Sequence, residues 1–177
     1  MALLLAILAA LAAPDHDALA LHRFAPRYLT ALQASAHLQA ARAAALVVGD
    51  VDADDLLAIA WHETRYTPGY VQREPGGCHK GVCRSVRYSC GVMTPEPLYA
   101  SCPRGTELVD EYIAGARHLL EWREICGGAL EGARLCALRG YSGGMLDNQL
   151  GNSGLATWQV FARDAWRIKA ARIQRPP

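Results

Sequence analysis

The sequence DADDLLAIAWHETRY, residues 52–66, predicts a buried helix that ends beside a titratable side chain. Asp52 is a favourable N-cap residue, and Asp55 places negative charge in the first turn, where the helix dipole favours it. We expect the apolar body to be buried on most sides; it consists of Leu56, Leu57, Ile59, Ala60 and Trp61. Glu63 follows directly, and Thr67-Pro68-Gly69 ends the helix. Burial against aromatic neighbours raises the pKa of a carboxyl group, as a general acid requires if it is to hold a proton near neutral pH.

Glu63 alone is also compatible with other interpretations. A glutamate in the last turn of a helix is more often a solvated surface residue. The pair His62-Glu63 resembles the start of a zinc-protease helix, but that motif needs a second histidine at position 66, where Tyr66 stands. The zinc-protease hypothesis therefore fails. His62 lies about 100° around the helix from Glu63, so we expect it to pack or to face solvent. We expect Arg65 to be a solvated or salt-bridged residue at the helix end.

The composition is that of one globular domain. The 177 residues are 51% hydrophobic and 20% charged, which suits a chain with a real core. The formal net charge of +1 gives no overall attraction to nucleic acid, so we expect no nucleic-acid partner. Basic residues gather near the C-terminus, where only Asp164 opposes them; they are Arg163, Arg167, Lys169, Arg172 and Arg175. We expect a solvated face of a last helix, or alternatively loose attraction to anionic envelope polymers or lipids.

The N-terminal segment predicts export. Residues 2–13 form a short apolar run that ends in small residues before Pro14, and the run is too short for a membrane span. Its length fits the hydrophobic core of a signal peptide cleaved near Ala12 or Ala13, although nothing charged precedes Asp15. We therefore expect residues 1–13 to be a signal peptide and residues 14–177 to form a single domain in the periplasm, cell envelope or extracellular space. An uncleaved helix packed on the domain is the alternative.

Six cysteines lie in the central part of the chain: Cys78, Cys83, Cys90, Cys102, Cys126 and Cys136. An even number in one block fits a disulfide framework formed in an oxidising compartment. Proximity in sequence favours the pairs 78–83, 90–102 and 126–136. A zinc site built from Cys78, His79 and Cys83 is the competing hypothesis, but its spacing lacks a clear second pair of ligands.

The rest of the chain predicts a mainly α fold. Residues 16–47 have helical composition broken only at Pro26, and residues 107–123 have helical periodicity that Gly127-Gly128 ends. A short helix is expected over 129–139 and a last helix over 153–172, whose apolar face would carry Trp158, Phe161, Ala165 and Trp166. Residues 68–103 are rich in Gly, Pro, Cys and Ser and show no strand-like alternation. We therefore expect them to form one long, ordered loop.

Three segments, in this order, resemble the lytic transglycosylase domain of the soluble-transglycosylase type, a member of the lysozyme-like superfamily. IAWHETRY, residues 59–66, is similar to the family helix that carries the catalytic Glu-Ser pair: Glu63 matches the acid, and Thr64 replaces Ser. GVMTP, residues 91–95, is similar to the Gly-Leu-Met-Gln motif of the cleft, with Met93 matched and Thr94 in place of Gln.

The third segment is GYSGG, residues 140–144, which resembles the Ala-Tyr-Asn-Ala-Gly motif. Tyr141 matches the tyrosine beside the catalytic acid, and Ser142 replaces Asn. Between the second and third segments, residues 114–120 resemble the family helix that backs the cleft. The resemblance covers roughly residues 52–145.

The resemblance implies a lysozyme-like helical domain, with the Cys/Gly/Pro-rich loop at its cleft. It implies that Glu63 is the single catalytic acid and that the substrate is the glycan strand of peptidoglycan; expected substrate contacts are Thr64, Met93, Thr94, Tyr141 and Ser142. It implies no cofactor and no metal, and we expect a monomer. The reaction would be lytic: Glu63 protonates the oxygen leaving N-acetylmuramic acid and then deprotonates the 6-hydroxyl, which closes a 1,6-anhydro ring.

Two rival functions remain open. A goose-type lysozyme-like muramidase would use water in place of the 6-hydroxyl and would need a second carboxylate. Glu74 and Glu96 lie in the loop, but beside prolines in segments that look exposed. A catalytically silent peptidoglycan-binding protein would keep the fold only to bind glycan, and the replacements at Thr94 and Ser142 keep this hypothesis open.

Overall fold

The computed structural model describes the backbone of residues 15–79, 82–94, 102, 105–128, 131–142 and 156–174, and their side chains except those of 74–79, 82–87 and 131. These residues form six helices and a two-stranded sheet. The helices are α1 His16–Phe24, α2 Ala31–Val48, α3 Ala53–Thr64, α4 Leu108–Ile125, α5 Glu131–Tyr141 and α6 Thr157–Ile173; the strands are β1 Val71–His79 and β2 Val82–Cys90. The prediction of a mainly helical protein is confirmed.

Helix α3 is the central element, as its sequence predicts. Asp52 caps it by accepting a hydrogen bond from the Asp54 N–H at 2.9 Å. The continuous run Leu56-Leu57-Ala58-Ile59-Ala60 is fully buried, because α2, α4 and α6 all pack against α3. Arg65, in the left-handed conformation, ends the helix. Burying each large apolar side chain contributes about 1.5–3 kcal/mol, so this run fixes α3 firmly in the core.

The N-terminal helical region is interrupted where Pro26 predicts. Helix α1 ends at Phe24, and α2 begins at Ala31 after a short turn. Thr30 and Gln33 form a capping box that satisfies the first free N–H groups of α2. Helix α2 then lies between α1 and α4 and also packs against α3.

The expectation of a strand-free loop over 68–103 is wrong. β1 and β2 pair as an antiparallel hairpin, in a register that places Val71 opposite Cys90 and Cys78 opposite Cys83. Pro75-Gly76-Gly77 interrupts any alternation in β1, which is why its pattern does not predict a strand. The signal lies in β2, whose sequence VCRSVRYSC has β-branched or aromatic residues at three of the four alternate positions from 82 to 88, Arg84 being the exception.

Two of the three expected disulfides are confirmed. Cys90 and Cys102 are bonded with their Cα atoms 5.6 Å apart, and Cys126 and Cys136 with theirs 5.8 Å apart. The first bond ties the end of β2 to the segment before α4, and the second ties the end of α4 to α5. The pairing of Cys78 with Cys83, and the competing zinc site, concern side chains outside the described ones.

Helix α6 differs from its prediction on two counts. Trp166 is 68% exposed and not on the buried face, whose buried residues are Phe161, Asp164, Ala165 and Ile168. The basic residues of α6 are also not simply solvated, since Arg172 pairs with the buried Asp54 at 3.0 Å and Lys169 lies 4.0 Å from Asp52. The apolar pattern of α6 does not reveal these acids, which belong to the first turn and cap of α3.

The predictions for the two ends of the chain fall mostly outside the described residues. The signal-peptide segment 1–13 and Arg175 both lie there. Within the helices that the structure describes, none has the length and apolar character needed to cross a membrane.

Candidate active site

Glu63 lies in the last turn of α3, partly buried. Its Oε2 atom accepts a hydrogen bond from the Thr94 hydroxyl at 2.9 Å. Burial raises the pKa of Glu63, and the Thr94 hydrogen bond partly opposes that rise by stabilising the ionised form. The partial burial of Glu63 agrees with the raised pKa that its apolar surroundings predict, and the hydroxyl that contacts its carboxylate is that of Thr94.

The three motif segments meet around the turn at residues 91–94. The Thr64 hydroxyl donates to the Val92 carbonyl at 2.7 Å, and the Tyr141 hydroxyl donates to the Met93 carbonyl at 2.8 Å. These bonds join the end of α3 and the end of α5 to successive carbonyls of one turn. Residues 28 and 48 positions apart along the chain are therefore joined at this turn, next to Glu63.

Most of the predicted substrate contacts are occupied by the protein itself. Thr64 is 6% exposed, Met93 is fully buried and Tyr141 is 9% exposed, and both hydroxyl groups donate to backbone carbonyls as described above. The Ser142 hydroxyl donates to the Arg139 carbonyl at 3.0 Å. In this structure Thr64 and Tyr141 hold the turn at residues 91–94, whereas the Ser142 bond stays within the end of α5. Thr94 is the predicted contact residue that touches Glu63.

Met93 packs in the core against α4. A Cβ atom added to Gly115 would lie 2.5 Å from the Met93 sulfur, so only glycine allows this close approach. The methionine fills the space that the missing side chain leaves. Gly115 and Met93 together set the distance between α4 and the turn that carries Thr94.

Glu111 is a site residue that the sequence interpretation missed. It lies in the first turn of α4, is 7% exposed, and accepts hydrogen bonds from the N–H groups of Gly69 and Val92, both at 2.8 Å. Burial raises the pKa of Glu111, and the two backbone donors oppose that rise. A detectable signal exists, because Glu111 occupies a position on the buried stripe of α4 that also contains Tyr112, Gly115 and Leu119.

The side chains next to Glu63 in sequence face elsewhere, as predicted for His62 and Arg65. His62 Nε2 lies 2.8 Å from Asp164 Oδ2. Burial opposes ionisation of Asp164, but hydrogen bonds from His62 and Arg163 hold its pKa well below the usual range. The exposed Arg65 lies over the Trp61 ring with its guanidinium carbon 4.5 Å from the centroid. Neither His62 nor Arg65 takes part in the contacts that surround the Glu63 carboxyl group.

A second catalytic carboxylate is not found at Glu63 among the described side chains. Glu74 and Glu96, the two weak candidates from the sequence, lie outside those side chains. Glu111 is buried, but both of its oxygens are occupied by backbone donors. Within the described part of the chain, no group of His, Cys, Asp and Glu side chains is arranged to hold a metal ion.

A pocket of about 430 Å³ lies at the other end of α3, away from Glu63. Its charged lining includes Asp55 and Arg134, whose Nε and Nη2 atoms donate to the two carboxylate oxygens of Asp55. Asp55 and Arg134 thus satisfy one another within this pocket, which is separate from the contacts around Glu63.

The chemistry available at this site is proton transfer by one carboxyl group. Partial burial favours the protonated form of Glu63, and a single hydroxyl donor supports the ionised form, so the same group can give and take a proton. No protein-family model matches the chain, and searches of curated proteins and of solved structures find no match either, so the arrangement around Glu63 carries the functional argument.

Proposed function

We propose that this protein is a peptidoglycan lytic transglycosylase, a lyase that cleaves the β-1,4 bond between N-acetylmuramic acid and N-acetylglucosamine. The observation that carries the proposal is the environment of Glu63: a carboxyl group with a raised pKa at the end of a buried helix, with one hydroxyl donor on it. A single carboxyl group in this state suits a reaction in which the same residue serves as acid and then as base.

In the first step, the Glu63 carboxyl group donates its proton to the glycosidic oxygen as the bond to the anomeric carbon breaks. The N-acetyl oxygen of the muramic acid stabilises the positive charge that develops on that carbon. In the second step, the Glu63 carboxylate removes the proton of the 6-hydroxyl, whose oxygen bonds to the anomeric carbon. The products are a 1,6-anhydro-muramic acid end and a free 4-hydroxyl, with no water consumed and Glu63 protonated again.

The proposal includes a lysozyme-like arrangement of residues 52–145 within a single domain and an exported location. In its support, the three motif segments meet at one turn, with Thr64 and Tyr141 bonded to adjacent carbonyls of that turn. The two disulfides are of the kind that form and persist in oxidising compartments, such as the periplasm or extracellular space. Peptidoglycan strands would be the partner, and loose attraction of α6 to an anionic envelope belongs to the same proposal.

A second candidate is a peptidoglycan-binding protein without catalytic activity. The internal hydrogen bonds of Thr94 and Ser142 favour it, because these residues replace polar side chains that contact substrate in the family it resembles. A binder needs no carboxyl group with a raised pKa, which is why the environment of Glu63 favours the lyase.

The test is mass spectrometry of muropeptides released from purified peptidoglycan by the oxidised protein. The lyase predicts products ending in 1,6-anhydro-muramic acid, and Glu63→Gln should abolish them while glycan binding persists. Glu107→Gln is the matched control, because Glu107 is exposed at the start of α4 and its side chain makes no capping bond. Reducing-end products, heavier by one water, would assign the protein to the muramidases. Binding without any product would assign it to the silent binders.

A further inference from the structure

Glu111 closes the base of the β-hairpin. One carboxylate oxygen accepts from the Gly69 N–H, two residues before β1, and the other accepts from the Val92 N–H, two residues after β2. A carboxylate that accepts two backbone hydrogen bonds in a buried position fixes both donors, since neither oxygen has water as a substitute. Glu111 therefore sets where the chain leaves the hairpin and enters the turn at residues 91–94.

That turn has little conformational freedom. Gly91 has a φ of 85° and Thr94 a φ of 39°, both in the left-handed region, and the Thr94 N–H donates to the Gly91 carbonyl at 3.2 Å. A Cβ atom at Gly91 would lie 3.2 Å from the Glu111 Cβ, so the carboxylate side chain and the turn are in direct contact. A threonine with positive φ is unfavourable and persists only where its surroundings determine it.

The side chains around the turn at residues 91–94 make two kinds of hydrogen bond to its backbone. Thr64 and Tyr141 donate to its carbonyl groups, whereas Glu111 is the described side chain that accepts from one of its N–H groups. Val92 is thus held from both sides, two residues before Thr94. The line of contacts runs from Glu111 through the backbone of Val92 to Thr94 and ends at the Glu63 carboxyl group.

We propose that Glu111 is a positioning residue for Glu63, because its hydrogen bond to the Val92 N–H holds the turn where the Thr94 hydroxyl reaches the Glu63 carboxyl group. This rests on the function proposed above only in treating Glu63 as the reacting group. The role is indirect: both Glu111 oxygens are occupied by the backbone, and the group that reaches Glu63 is the Thr94 hydroxyl.

The other groups that bear on the titration of Glu63 are few among the described residues. Burial raises the pKa of Tyr141, on α5, and the nearby charge of Glu63 raises the pKa of Tyr141 further. His62 and Arg65, on α3 and at its end, are engaged with Asp164 and Trp61. The hydrogen bonds that Glu111 accepts among the described residues come from the backbone of Gly69 and Val92 and not from these side chains.

Positioning and simple electrostatics predict opposite effects when Glu111 is changed to Gln. Removal of a negative charge would, by itself, favour the ionised form of Glu63 and lower its pKa. Loss of the hydrogen bond from the Val92 N–H would displace the Thr94 hydroxyl and raise the pKa of Glu63. The amide of Gln presents an NH₂ group to one of the two backbone donors, so at least one of the two hydrogen bonds must be lost.

The experiment is a ¹³C NMR titration of the Glu63 carboxyl carbon, assigned with Glu63→Gln. Thr94→Val should raise the midpoint by about one pH unit. Glu111→Gln should raise it in the same direction, and the double variant should rise no further than Thr94→Val alone. Asp110→Asn, an exposed charge removal in the same turn of α4, is the matched control and should leave the midpoint unchanged.

Glu111→Asp provides an independent variant, because it retains the charge and shortens the reach by one methylene. It should also raise the midpoint. A midpoint that stays unchanged or falls in the Glu111 variants, with Thr94→Val raising it, would overturn the proposal. The titration needs no substrate, so an absence of 1,6-anhydro products would overturn the proposed function and leave this comparison intact.

Discussion

The Thr94 hydroxyl donates a 2.9 Å hydrogen bond to the carboxylate of Glu63, a residue 31 positions earlier in the chain. Thr94 thereby supports the ionised form of a carboxyl group whose burial favours the protonated form. The resemblance to transglycosylases assigns position 94 to a substrate contact, but in this chain the shorter threonine reaches the acid itself.

Thr94→Val should shift the pH dependence of cleavage. Without the hydrogen bond, the ionised form of Glu63 is less stable and its pKa rises further. The protonated acid then persists to higher pH, so the alkaline limb of the kcat/KM profile should move upward by about one pH unit. Thr94→Ser, which retains the hydroxyl, should restore the original profile. An alkaline limb that does not move in Thr94→Val would show that this hydrogen bond does not control the acid.

Glu63→Gln should stabilise the folded protein at neutral pH. Because burial raises the pKa of Glu63 in the folded state, ionisation costs folding free energy above the unfolded pKa of about 4.3. Below that pH both states are protonated and the cost vanishes. The gain in Tm on substitution should therefore be present at pH 7 and absent at pH 4, as measured by thermal unfolding at both values. A loss of stability at pH 7 would mean that the carboxylate is better stabilised than its burial indicates.

The helices could be predicted from the sequence because their signals are local. The apolar run of α3, the break at Pro26 and the end of α4 at Gly127-Gly128 each involve residues within a few turns of one another. Each of the two disulfides joins cysteines that are close in sequence, 12 residues apart for Cys90 and Cys102 and 10 residues apart for Cys126 and Cys136. Proximity along the chain was therefore enough to predict both pairs. The β-hairpin was missed because pairing with β2, and not its own pattern, makes β1 a strand.

The contacts of the site could not be predicted, since they join distant positions. Thr94 bonds to Glu63 across 31 residues, and Glu111 bonds to Gly69 across 42. Nothing in the neighbourhood of either residue specifies such a partner. The apolar surroundings of Glu63 in the sequence did predict its burial and its raised pKa. They could not predict that Thr94 is its hydrogen-bond partner.

Arg172→Met should destabilise the protein in a pH-dependent way. Burial raises the pKa of Asp54 to about 6, although Arg172 at 3.0 Å opposes that rise. Loss of the guanidinium leaves a buried carboxylate unpaired, at a cost of about 3 kcal/mol at pH 8. Because loss of Arg172 raises the pKa of Asp54 further, the electrostatic cost should shrink as the pH falls towards 6 and be absent below about 6, where Asp54 is protonated with or without Arg172. Urea unfolding at pH 8 and pH 5 measures both values. Asp54→Asn in the same chain should recover most of the loss at pH 8. An equal loss at both pH values would show that the loss does not come from the titration of Asp54.

Gly115→Ala should destabilise the protein, and Gly132→Ala should not. An alanine Cβ at 115 would lie 2.5 Å from the sulfur and 2.7 Å from the Cβ of the fully buried Met93, and a change of rotamer cannot move that Cβ away. Overpacking of this kind costs about 1–3 kcal/mol and would push Met93, with the adjoining Thr94, away from α4. Gly132 lies in α5 with no atom within 4 Å of an added Cβ, so alanine there should stabilise the protein by about 0.5–1 kcal/mol.

Chemical unfolding measures the stability of both variants, and titration of Glu63 in Gly115→Ala shows whether the turn has moved. A packing defect alone lowers the stability and leaves the pKa of Glu63 unchanged. A displaced turn lowers the stability and also raises that pKa. Equal stability of the two variants would show that Met93 is free to repack.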